Sequence, residues 1–145
     1  TAFLNGETIP VIHSCDGKDQ SPPLSFKNVP PKAVSLALVM DDPDAPNGTF
    51  VHWIAWNIDP KAEGLPGEVK AEDTSMVQGT NSGTKIGYMG PCPPKGPPHH
   101  YFFKLYALNT KLNLSRGASM AEFNKAIEGK VIEETKLMGT FQRMP

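Results

Sequence analysis

Within Asp41-Asp42-Pro43-Asp44-Ala45-Pro46, three carboxylates and two prolines close an apolar run, and His52 follows six residues later. Carboxylates this close repel one another and, once buried, require a metal, a histidine or solvent as partner. A second imidazole, His99, opens another apolar run at the end of a proline-rich loop. Asp42, Asp44, His52 and His99 are therefore the residues with which this chain could do chemistry.

Three arrangements would use them. Each histidine could be a core residue bonded to a carboxylate, with a purely structural role. Asp and His could ligate zinc or iron, but no H-x-H or H-E-x-x-H spacing supports a metal. The third arrangement is an anion pocket, in which a carboxylate raises the histidine pKa and fixes its tautomer, so that an imidazolium donates to phosphate. Backbone N–H groups of the loop before His99 would add donors. A hydrolase using the same Asp/His cluster as general acid and base is the alternative from a different class; it lacks an evident nucleophile.

Other candidates carry less. Gly79-Thr80-Asn81-Ser82-Gly83-Thr84 lacks the order of a phosphate loop, and no G-x-S-x-G elbow occurs. Cys92, fixed between prolines, has no helix N-terminus to lower its pKa and is a poor nucleophile. His13 lies in a polar loop and is expected to be solvated. Cys15 and Cys92 are expected to be two reduced thiols; a disulfide is the alternative and would suit an oxidising compartment or a hyperthermophile cytosol.

The elements that must position these residues are mostly strands. Ala33 to Met40 is a continuous apolar run, and Phe50 to Ile58 is rich in aromatic and β-branched residues. His99 to Leu108 alternates, placing His99, Tyr101, Phe103, Leu105 and Ala107 on one face. The same alternation places His52 with Phe50, Ile54, Trp56 and Ile58. If these strands are neighbours, two carboxylates and two imidazoles meet at one end of a sheet. Ser119-Met120-Ala121-Glu122 has capping-box spacing and predicts one short amphipathic helix to Gly129; Val131 to Phe141 either extends that helix or forms a last strand, and Gly129 with the β-branched pair Val131-Ile132 favours the strand. Short strands are expected near Leu24, Val77 and Ile86, and Phe3 to Pro10 reads as strand-and-turn.

Composition sets the outer bounds. A chain of 145 residues suits one domain, 1–145, with a single core. A net charge of −1 leaves no basic excess for nucleic acid. Fifteen prolines and thirteen glycines lie between apolar runs, which points to ordered, rigid loops. Prolines lose little entropy on folding, so Gly90-Pro91-Cys92-Pro93-Pro94-Lys95-Gly96-Pro97-Pro98 would form a preordered pocket wall. No apolar run is long enough to span a membrane. A cytoplasmic location is expected from the slightly acidic, cytosol-like composition, and an apolar sheet edge or loop would suit a homodimer.

Asp42-Pro43-Asp44-Ala45-Pro46, Val51-His52-Trp53-Ile54-Ala55-Trp56-Asn57, Gly90-Pro91 through Pro93-Pro94, and His99-His100-Tyr101 together resemble the phosphatidylethanolamine-binding protein family, also called the Raf kinase inhibitor protein family. Ser21-Pro22-Pro23-Leu24, Tyr106-Ala107-Leu108 and Gly139-Thr140-Phe141-Gln142-Arg143 are similar to its bacterial and archaeal branch. The resemblance covers nearly the whole chain. It implies a mainly β, sandwich-like fold with a large central antiparallel sheet, a smaller sheet and one or two short helices. It also implies a pocket for phosphate or a phosphoryl head group, lined by Asp42, Asp44, Pro46, His52, Gly90, Pro91, His99 and Tyr101, without cofactor or metal. Such proteins bind and regulate, some by inhibiting proteases or kinases, and are not enzymes. One departure stands out: His100 occupies a place where the family usually has Arg, and the expected effect falls on an ion pair beneath the acidic turn.

Overall fold

The computed structural model describes residues 2–144. A short 3-10 turn, Val11–His13, precedes β1 (Leu24–Ser25), β2 (Ser35–Asp42), β3 (Phe50–Ile58), β4 (Gly64–Leu65), β5 (Val77–Gln78), β6 (His99–Leu108), α1 (Met120–Ile127) and β7 (Val131–Phe141). The protein is mainly β. Five strands form an antiparallel sheet in the order β5-β3-β2-β6-β7, and β1 pairs with β4 in a second sheet of two strands.

β2 is apolar on both faces because both are covered. Leu36, Leu38 and Met40 join Trp53, Tyr101 and Phe103 in the core beneath the small sheet, with Phe3, Ile9 and Phe26 closing it. Ala37 and Val39 join Ile54, Trp56, Leu108 and Phe123 in a second core beneath α1. That helix begins at a complete capping box: the Ser119 hydroxyl accepts from Glu122 N, and the Glu122 carboxylate accepts from Ser119 N. Phe123 is its fully buried residue and packs against Trp56 and Tyr106.

Three expectations change. β2 starts at Ser35 and runs through Asp41 and Asp42, so these acids are strand residues and only Asp44 lies in the turn. The segment Phe3–Pro10 forms no strand; it lies along β7 through the single bridge Thr8 to Thr140. Strict alternation also fails in β3, where the register against β2 shifts between Met40↔Trp53 and Asp41↔Val51. This bulge inserts His52 as an extra residue. Ile54 and Trp56 therefore lie in the helix-side core, whereas His52 turns to the opposite side, beside Tyr101.

Candidate functional site

The three acids at the end of β2 split three ways, each carboxylate taking its partner from β6. Asp41, on the helix-side face, accepts from Lys104 Nζ at 2.9 Å. This bond and the neighbouring charge hold the Lys104 ammonium above its ordinary pKa. Asp42, on the other face, accepts from His99 Nδ1 at 2.7 Å through Oδ2 and from the Asp44 backbone N–H at 2.8 Å through Oδ1. Asp42 is 3% exposed, and pairing both oxygens is what makes so buried a carboxylate tolerable. Asp44 points outward, where one oxygen accepts from both the backbone N–H and the ring of His100, at 2.8 and 2.7 Å. The His100 contacts hold this carboxyl below the usual carboxylate range. His100 thus supplies the ion-pair partner under the turn where the resemblance leads one to expect Arg.

His52 is fixed by the loop ahead of β6. Its Nδ1 bonds the Met89 carbonyl at 2.6 Å, and its own carbonyl accepts from Met89 N–H at 3.0 Å. A carbonyl only accepts, so Nδ1 carries the proton and Nε2 is the nitrogen left over. Burial pushes this imidazole below its ordinary pKa, outweighing the bond to Met89 and the charges of Asp42 and Asp19. The His52 ring lies edge-on to Tyr101 with centroids 5.3 Å apart, and Tyr101 is stacked with His99 at 6.5 Å. Tyr101 is 1% exposed, and its hydroxyl makes no hydrogen bond of good geometry among the described residues, although the Asp42 carboxylate stands close to it. Burial, with the nearby Asp42 carboxylate second, raises its phenol far above the ordinary value, so the group is a neutral donor.

These groups face one cavity of about 320 Å³ at the end of the sheet. Its lining brings together Asp42, Pro46, His52, Gly90, His99 and Tyr101 from the sequence reading. Asp44 and Pro91 stand outside the lining: Asp44 is taken by His100, and Pro91 is buried with its carbonyl accepting from Cys15 N–H at 3.1 Å. The sequence reading did not single out Phe50 and Met89, which add apolar surface, or the role of Ala45. Phe50 carried a signal, since it opens the strand that holds His52. Met89 carried none, because its part is played by a backbone carbonyl.

The proline wall is anchored to the N-terminal segment. Cys15 and Cys92 form a disulfide, correcting the expectation of two reduced thiols; their sequence separation of 77 gave no local signal. Among the described residues no free thiol remains, so Cys92 offers no nucleophile. The Asp19 carboxylate accepts from Gly90 N–H at 2.8 Å, and the Tyr88 hydroxyl donates to the His13 carbonyl at 2.7 Å. A Cβ on Gly90 would collide with the His13 carbonyl oxygen and Asp19 Oδ1, so only glycine permits this approach. His13 is buried, with Nδ1 bonded to the Gln20 carbonyl at 2.8 Å, and is not the solvated residue expected. Among the described residues no group of three His, Cys, Asp or Glu side chains could hold a metal ion, and no helix is long and apolar enough to cross a membrane.

Two packed antiparallel sheets and a half-enclosed pocket at one sheet end define a β-sandwich protein with a ligand-sized site. The chain belongs to the phosphatidylethanolamine-binding protein family, whose model matches residues 1–142. It is 49% identical to a UPF0098 protein of Pyrococcus horikoshii over 99% of this chain and 75% of that protein. The crystal structure of a Chlamydia trachomatis homolog of phosphatidylethanolamine-binding proteins superposes with a TM-score of 0.92 at 38% identity, covering 99% of this chain and 94% of the other. Escherichia coli YbcL, described as a member of the mammalian family, follows with a TM-score of 0.90 at 31% identity over 99% and 95% of the two chains.

Proposed function

We propose that the pocket binds a small oxyanion, phosphate or a phosphoryl group, and that the protein is a non-catalytic binding and regulatory protein. The observation that carries this reading is the buried Tyr101 hydroxyl, without a well-formed hydrogen bond, beside the His99–Asp42 pair in a largely apolar cavity. A buried hydroxyl without an acceptor is unfavourable, and an anionic oxygen supplies one. Asp42 holds His99 by Nδ1, which leaves Nε2 for a ligand. Inhibition of a protease or a signalling enzyme is the regulatory role that fits the family, with the pocket as its ligand-dependent face.

Calorimetric titration with inorganic phosphate tests the reading. Saturable binding that is lost in His99→Ala, without turnover of phosphomonoesters or carboxylic esters, is the expected result. No measurable binding between pH 5 and 8, or multiple turnovers abolished by Asp42→Ala, would overturn it.

A further inference from the structure

The pocket is not a uniform cage of donors. His52 spends its Nδ1 proton on the Met89 carbonyl. With the ring 5% exposed and no carboxylate bonded to it, what remains for the pocket is the lone pair of Nε2. Asp42 presents a carboxyl group on the same side, both of its oxygens already accepting. Among the described side chains of the lining, Tyr101 Oη, and His99 Nε2 in the imidazolium form, are left to donate. An oxyanion without a proton would direct one of its oxygens at the His52 lone pair and repel it.

We propose that the site selects oxyanions that carry a proton, with the ligand's own O–H donating to His52 Nε2 while its other oxygens accept from Tyr101 and His99. The inference rests on the pocket reading above and narrows its ligand. Hydrogen phosphate keeps a proton at neutral pH. Sulfate has the same shape and keeps none. A phosphomonoester loses its last proton with a pKa of about 6, so it qualifies only in mildly acidic solution. A phosphodiester, the form taken by a phospholipid head group, never carries one. The chemistry therefore favours free phosphate over a lipid phosphodiester.

Sites that hydrogen-bond a ligand proton reject analogues lacking it because buried acceptors are then left unpaired. We expect inorganic phosphate to bind on the order of 100-fold more tightly than sulfate at pH 7.5 and equal ionic strength. Dimethyl phosphate should be rejected like sulfate, and methyl phosphate should gain affinity as pH falls from 7.5 to 5.5. His52→Gln, whose amide can donate as well as accept, should bring phosphate and sulfate to within about threefold of each other. Nitrogen NMR of His52 in the intact protein, which needs no variant, should show a proton on Nδ1 and none on Nε2, free and with phosphate bound. Sulfate or dimethyl phosphate binding as well as phosphate, or a doubly protonated His52 in the complex, would overturn this inference and leave the anion pocket standing. Failure of all four ligands to bind would overturn the pocket reading and this inference with it.

Discussion

Removing the Tyr101 hydroxyl should move stability and binding in opposite directions. Tyr101 is 1% exposed, and its Oη makes no well-formed hydrogen bond to a described residue, the Asp42 carboxylate being close but out of good geometry. Leaving a buried hydroxyl unpaired costs about 1–3 kcal/mol, while the ring's packing against His52 and His99 survives in phenylalanine. Tyr101→Phe should therefore stabilise the ligand-free protein by about 1 kcal/mol, a rise of about 2–4 °C in melting temperature for a chain of this size. The same hydroxyl would donate a charge-assisted bond to a bound oxyanion, so its loss should weaken phosphate by about 10–100-fold. Thermal melts followed by circular dichroism, with and without phosphate, read both effects in one experiment. The variant should melt higher than the parent alone and gain less from phosphate. A variant that melts lower than the parent and binds phosphate equally well would refute the argument, because the hydroxyl would then have a structural partner and no part in the site.

Asp42→Asn removes a negative charge from an anion pocket yet should weaken phosphate binding, because the carboxylate orients His99; tighter binding in calorimetry would show that Asp42 only repels. Burial lowers the His52 pKa in the folded state, whereas the unfolded imidazole titrates near 6.5. Between the two values the unfolded chain holds a proton the folded one lacks, so His52 favours folding above about pH 6.5 and that contribution is lost as pH falls. His52→Gln should flatten the fall in urea-derived stability between pH 7.5 and 5, and an unchanged slope would count against a buried neutral His52. Lys104→Met strands the Asp41 carboxylate, and since the lysine side chain is only 33% exposed the loss should be about 2 kcal/mol by urea unfolding. The Cys15–Cys92 disulfide closes a separation of 77 residues, for which chain entropy gives about 4.5 kcal/mol; Cys15→Ser/Cys92→Ser should lose a stability of that order, and a loss under about 1 kcal/mol would mean that the proline wall holds without the crosslink.

Where a feature depends on residues near one another in sequence, it was legible beforehand. β3 and β6 begin and end where the apolar patterns place them, the capping box starts α1, and Gly129 separates that helix from β7. The β6 alternation also put His99 and Tyr101 on one side correctly, since no bulge interrupts it before Ala107. The β3 alternation misplaced His52, because a bulge is defined against the partner strand and leaves no mark of its own in the sequence.

The sequence by itself determined the strands, the helix and the chemical types gathered at one sheet end, because side-chain periodicity and turn chemistry act over a few residues. Tertiary structure alone decided how the acids divide. Asp41, Asp42 and Asp44 are close neighbours in sequence, but strand pleat and the β2–β6 register send them to Lys104, His99 and His100. It also decided that Cys15 meets Cys92, that Asp19 holds Gly90, and that a main-chain carbonyl fixes the tautomer of His52. Each of these contacts joins segments tens of residues apart, where local pattern carries no information and only the packed chain sets the distance.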